Sequence, residues 1–330
     1  LFDVGGVPAF ISRGYLMEFS PFGNDLFGDP ISPQGQGMVK ERFTFPPFTV
    51  LDGRSGEWQD RKRAWLSLGI ASDLGREGLG DTSATSMDYF NKGKTIAGDA
   101  GSVFDPVMAE LCYQWFCPSG GHILDPFAGG SVRGIVANLV GNRYTGIDIR
   151  QEQVTANYEN AREMGIQPND KLYWVVGDSL EILKSPACPT IASGFYDFIF
   201  SCPPYGDLET YSNNPADISN MGYVDFMAAY EEIINLSVRA LADHSFAAFV
   251  VGNFRNKDGF YNDFVSDTIR AFENAGAGLY NEAILVTPVG TACLRVTKQF
   301  NAGRKMAKTH QNLLVFCKGD WKMAANKIKE

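Results

Sequence analysis

Two short segments of this chain combine residue types that do chemistry only when held in a fixed geometry. The first is Ser201-Cys202-Pro203-Pro204-Tyr205. Adjacent prolines fix φ at both positions and remove two amide donors, so the loop is rigid and extended while its carbonyls stay free to accept hydrogen bonds. Tyr205 adds an aromatic face on which a flat, π-rich ring can stack. The second is Asp125-Pro126-Phe127-Ala128-Gly129-Gly130-Ser131, where paired glycines let the backbone approach a ligand closely. An acid follows 23 residues after Asp125, at Asp148, where a strand-end carboxylate can hold ribose hydroxyls. Asp178, in Gly177-Asp178-Ser179, reads by itself as a helix N-cap.

Asp-Pro-Phe-Ala-Gly resembles the cofactor motif of the DNA amino-methyltransferases, commonly DPFAGSG, with Ser131 where that family has a second glycine. Ser-x-Pro-Pro-Tyr is similar to the (D/N/S)PPY motif of the same N6-adenine and N4-cytosine enzymes. Phe104-Asp105-Pro106 resembles their upstream cofactor motif. The order of motifs resembles in particular the solitary modification methylases of bacteria and phages, over residues 100–320. The resemblance implies an S-adenosylmethionine-dependent DNA methyltransferase acting on a flipped base. It implies Asp125, Phe127, Ala128, Gly129, Asp148, Asp178 and Phe104 as cofactor contacts, and Ser201, Pro203, Pro204 and Tyr205 as the catalytic set. In that set, Ser201 Oγ and the carbonyl after it orient an exocyclic amine toward the methyl sulfonium. Ser201 leans the target toward cytosine N4 over adenine N6. RNA base amino-methyltransferases share Pro-Pro-Tyr loops and form the alternative. Covalent cytosine-C5 chemistry is disfavoured, because Cys202 precedes its proline instead of following one.

The elements that must position these loops read as alternating helices and strands. Helices are predicted over 103–116, 131–139, 151–164, 223–241 and 260–275, from apolar residues recurring at helical spacing. Strands are predicted over 122–125, 144–149, 172–176, 195–201 and 246–251, followed by two closing strands, 279–286 and 312–317, with no helix between them. Such alternation implies a doubly wound Rossmann-like α/β sheet, mostly parallel, with an antiparallel edge strand. Both chemical loops then fall at strand carboxyl ends. Residues 1–95 differ: rich in Gly, Pro and Phe, they read as an irregular N-terminal extension ahead of a methyltransferase domain over 96–330, with one helix over 58–70 and a loop over 75–86.

Composition sets the remaining bounds. With 45% hydrophobic and 20% charged residues, the chain can bury a normal core. Six cysteines without a CxxC pair, and three histidines, point away from a zinc site or disulfide framework and toward a reduced, cytoplasmic protein with no metal. No signal peptide or membrane span is evident. The net charge of −9 opposes a phosphate partner on average. Basic residues nevertheless cluster at Arg304, Lys305 and Lys308, and at Arg61 and Arg63 between Trp58 and Trp65. These are the expected DNA contacts.

Overall fold

In the computed structural model of the chain, the described residues are 43–71, 104–167, 171–185, 194–206, 212, 214–289 and 292–329. The expected loop over 75–86 lies outside them. An eight-stranded sheet forms the centre, in the spatial order β1 (Val50–Asp52), β9 (Ala277–Val286), β10 (His310–Lys318), β6 (Leu241–Val251), β5 (Tyr196–Ser201), β2 (His122–Asp125), β3 (Arg143–Asp148) and β4 (Leu172–Val176). Every neighbouring pair is parallel except the two made by β10, which runs against both β6 and β9. The fold is therefore the mostly parallel, Rossmann-like arrangement expected, with the closing strands paired antiparallel. A small hairpin, β7 (Phe254–Arg255) and β8 (Tyr261–Asn262), stands outside this sheet.

Central strands in such a sheet are covered on both faces and lose the polar-apolar alternation of a half-exposed strand. All four residues of β2 are buried, and so are five of the six in β5. One face is covered by α1 (Gly56–Ser67), α2 (Pro106–Phe116), α3 (Val132–Leu139) and α4 (Gln151–Glu163), with Trp58, Trp65, Leu111 and Ile135 in its core. On the other face lie α5 (Ser179–Lys184), α6 (Tyr223–Ala240) and α7 (Phe264–Asn274), with Phe226, Tyr230, Ile233 and Phe272. Phe272 stacks on Phe316 of β10 at 3.9 Å between ring centroids, which fixes α7 against the antiparallel strand.

Two features depart from the sequence reading. A helix, α8 (Ala292–Gly303), lies between β9 and β10, where none was expected. It is twelve residues long, and residues 297–300 on it are exposed. A further helix, α9 (Trp321–Lys329), follows the last strand. The segment ahead of residue 95, read as irregular, also supplies an ordered piece: β1 pairs in parallel with β9, and α1 packs on α2.

The packing of α1 explains its basic residues. Trp65 Nε1 donates to Glu110 (2.8 Å), Trp58 Nε1 donates to Asp105 (3.2 Å), and Arg61 Nε donates to Glu110 (2.6 Å) with a second guanidinium bond alongside. Glu110 is wholly buried. Arg61, expected to contact DNA, instead neutralises that carboxylate, because an unpaired charge inside a core is far costlier than a solvated one. Arg63 points outward and pairs with Asp60 one turn away. Replacing Arg61 with alanine should therefore lower unfolding free energy by about 3–5 kcal/mol in chemical denaturation. A change below ~1 kcal/mol, the range of exposed pairs, would refute the structural role.

Candidate active site

The sheet's order contains its own binding crevice. From β2 the chain builds outward through β3 and β4, then returns to place β5 on the other side of β2. At such a reversal the loops leaving the two adjacent strands diverge to opposite faces and open a crevice at the carboxyl ends. The loops leaving β2 and β5 are the two motif loops. They line one cavity of about 360 Å³, together with residues after β3 and β4. Phe127, Gly129 and Gly130 line it from the first loop, Asp148 and Arg150 after β3, Asp178 and Ser179 after β4, and Cys202, Pro203, Pro204 and Tyr205 from the second loop. Phe104 joins them from the residues just before α2.

Asp125, Ala128 and Ser201 are not brought to this lining. All three are buried. The Asp125 carboxylate is fully engaged: Oδ1 accepts from Ser201 Oγ (2.6 Å) and from the Phe127 amide (3.2 Å), and Oδ2 accepts from Arg133 Nε (2.5 Å) and Tyr144 OH (2.8 Å). Arg133 then donates to the carbonyls of Phe127 (2.6 Å) and Ala128 (2.8 Å) and lies over the Phe104 ring at 4.8 Å. Burial acts to lower the pKa of this guanidinium, but Asp125 and its neighbours outweigh that and leave the value above its ordinary range. Asp125 and Arg133 thus shape the loop from beneath. Ser201 Oγ, donated to Asp125, ties the end of β5 to the end of β2 and does not face the cavity. Arg133 was missed from sequence; the available signal was a single charged residue in the helix Val132–Leu139.

The upper surface of the first loop faces the cavity. Gly129 adopts φ +52, a left-handed conformation that side chains disfavour, and a Cβ there would meet nothing within 4 Å. Its amide donates to Asp148 Oδ2 (2.9 Å), its carbonyl accepts from Asn157 (2.7 Å), and Arg150 N donates to Asp148 Oδ1 (2.8 Å). Burial, only partly offset by those two backbone amides, raises the Asp148 pKa to about 6. Asp178 accepts from Leu180 N (2.9 Å) as the cap of α5 and also lines the cavity.

On the opposite side, the Tyr205 ring packs against Phe254 and Phe264, each at 6.1 Å between centroids. Its hydroxyl accepts from Gln311 Nε2 (3.2 Å) on β10. Further residues complete the wall without having been singled out: Lys62, whose ammonium is 3.2 Å from Asp105, then Gln153, Asp217 and Thr287. Lys62 lies between Arg61 and Arg63 in the sequence.

These residues fit S-adenosylmethionine. A backbone turn with open space at Gly129, carboxylates after β3 and β4, and apolar Phe104, Phe127 and Ile147 between them offer separate places for an amino-acid end, a ribose and a flat base. When bound, the cofactor supplies an electrophilic methyl group.

Residues 120–242, from the turn before β2 to the start of β6, match the family described as RNA cap guanine-N2 methyltransferase. No curated protein matches the chain in sequence. Among solved structures it is similar to TrmN from Thermus thermophilus (13% identity, TM-score 0.42, covering 65% of this chain and 49% of that one). It is also similar to a protein of the same organism described as a DNA modification methylase (16%, TM-score 0.30, 43% and 51%). A third is magnesium protoporphyrin IX methyltransferase from Synechocystis PCC 6803 with bound S-adenosylmethionine (12%, TM-score 0.37, 61% and 71%). The chain spans about half the length of the first two. Residues 120–242 thus carry a methyltransferase family match on a Rossmann-like sheet whose two motif loops share one cavity.

A carboxylate whose pKa is raised in the folded state binds protons there that the unfolded chain has released. Stability contributed at this site therefore falls as pH rises from about 4 through about 6. A ribose-holding carboxylate works ionised, so S-adenosylmethionine affinity should rise about tenfold between about pH 5 and pH 7. In calorimetric titrations the Asp148→Asn variant should bind weakly and without this slope. An unchanged slope in that variant would remove Asp148 from the cofactor site.

Proposed function

We propose that this methyltransferase acts on the exocyclic amino group of a nucleobase in DNA, at cytosine N4 or adenine N6. The observation that carries the reading is the placement of Pro203, Pro204 and Tyr205 in the same cavity as Gly129, Asp148 and Asp178. An amine has little nucleophilicity while its lone pair is delocalised into the ring, and acceptors for its hydrogens help direct that pair outward. The proline loop offers carbonyl acceptors without competing amide donors. With Ser201 committed to Asp125, the side chain immediately before Pro203 that lines the cavity is Cys202, and the loop's acceptors are its backbone carbonyls.

Tyr205 gives the target base a face to stack on once it leaves its duplex. Its ring is held by Phe254, Phe264 and Gln311, so little rotational freedom is lost when a base docks. No nucleophilic side chain is required, since transfer is direct and catalysis rests on orientation. Arg304 and Lys305, both exposed, and Lys308 of the same stretch lie on the segment leading to Gln311 and supply phosphate contacts near the cavity.

A second reading, methylation of an RNA base amine, has one specific support. The family description matched by residues 120–242 concerns guanine N2 of an RNA cap. The two readings share chemistry and cavity and differ in the polymer presented.

Nucleoside mass spectrometry after incubation with labelled cofactor separates them: 4-methylcytosine or 6-methyladenine in DNA supports the first reading, and N2-methylguanine in RNA supports the second. Label in neither polymer would overturn both. In the same assay Tyr205→Ala should lower turnover roughly 10- to 100-fold, the range expected from losing one stacked base. Cofactor affinity should stay within about twofold of the parent.

A further inference from the structure

Beside the cavity, next to Arg304, Lys305 and Lys308, the structure presents an aromatic rim that the proposed chemistry leaves unused. The β7–β8 hairpin projects from the end of β6, outside the main sheet. At its tip Phe260 is 74% exposed and Tyr261 47% exposed, an unusual cost in hydration for two large rings on a short hairpin. Arg255 lies over the Tyr261 ring at 4.1 Å and donates to the Gly259 carbonyl (2.8 Å). The pattern repeats nearby: Arg304 lies over Phe300 at 5.2 Å, and Met306 is 73% exposed.

The second strip of chain is packed onto the first. A Cβ at Gly259 would come within 2.8 Å of Lys305 Nζ, and one at Gly252 within 2.5 Å of Lys308 Nζ, so both ammonium groups lie against the hairpin backbone. Lys308 also donates to the Asn253 carbonyl (3.3 Å). The result is a compact group of Arg255, Lys257, Arg304, Lys305 and Lys308 with two exposed acids, Asp258 and Asp263, on a chain whose net charge is −9. The rim adjoins the cavity through two contacts already described. Phe254, at the base of the hairpin, packs on Tyr205, and Gln311, three residues after Lys308, bonds the Tyr205 hydroxyl.

We propose that this rim is a stacking platform for an unpaired nucleic-acid strand flanking the target base, with Phe260 and Tyr261 receiving bases and Lys305 and Lys308 receiving the phosphates between them. Alternating aromatic and cationic groups match the alternation of bases and phosphates along a single strand, and every base presents a π-face whatever its identity. A purely acidic protein partner would use the charges but leave the rings unexplained. A purely apolar partner would have to desolvate this cationic group. The inference rests on the nucleobase reading above and extends it to how the polymer is held.

The test uses fluorescence anisotropy with three labelled probes: a single-stranded oligodeoxynucleotide, the RNA of the same sequence, and the corresponding DNA duplex. The parent should bind one or both single strands. A Phe260→Ala/Tyr261→Ala double variant should bind them roughly 5- to 100-fold more weakly, with unchanged thermal unfolding, unchanged cofactor affinity and an unchanged salt slope. Lys305→Ala should instead lower the salt slope by about 0.7 for a single strand. Parental affinity in the double variant overturns the platform. So does an equal loss for heparin, which has charge but no bases, or an equal loss for duplex. If the parent methylates nucleic acid while the double variant loses nothing, only the platform falls. Strand binding that depends on the two rings, with no methyl transfer to any probe, leaves the platform standing and the nucleobase reading fallen. A parent that binds none of the probes overturns both.

Discussion

A single buried carboxylate holds the two motif loops in one place. Asp125 ends β2 inside the sheet, away from water, and is paired with Arg133 at 2.5 Å. An isolated charge at such depth would cost several kcal/mol, so the pair survives only because the remaining lone pairs are also used. Ser201, Tyr144 and the Phe127 amide use them. The arrangement thereby does more than neutralise a charge. Ser201 comes from the neighbouring strand, and Arg133 reaches back to two loop carbonyls, so the ends of β2 and β5 and the turn above them become one hydrogen-bonded unit. Loosening Asp125, Tyr144 or Ser201 would displace a cavity wall without touching a residue that faces the cavity.

Topology supplies the other constraint. Because β3 and β4 extend the sheet one way from β2 and β5 with β6 the other, the crevice falls between the two strands that carry the motifs. The antiparallel β10 then brings Gln311 from late in the chain to the hydroxyl of Tyr205. On the same strand α7 is secured by the stacked Phe272 and Phe316. No helix among the described residues is long and apolar enough to cross a membrane, and the charged groups that remain unburied are distributed unevenly. Arg255, Lys257, Arg304, Lys305 and Lys308 stand together at one rim of the cavity, a local positive field against the negative average.

The sequence by itself determined the alternation of helices and strands, because buried parallel strands are written as short apolar runs and covering helices as amphipathic ones. It located both motif loops, since prolines and glycines act through backbone constraints that need no neighbours. The tertiary structure alone decided which side chains face the cavity. Asp125, Ala128 and Ser201 belong to the motifs yet lie beneath the surface, and Arg61 belongs to a basic cluster yet neutralises Glu110. Lys62, Asp217 and Gln311 gained their place only through long-range packing. The physical reason is common to all of these: periodicity and backbone restriction are local properties of a chain, whereas burial and the pairing of charges depend on partners that folding brings from far away in sequence.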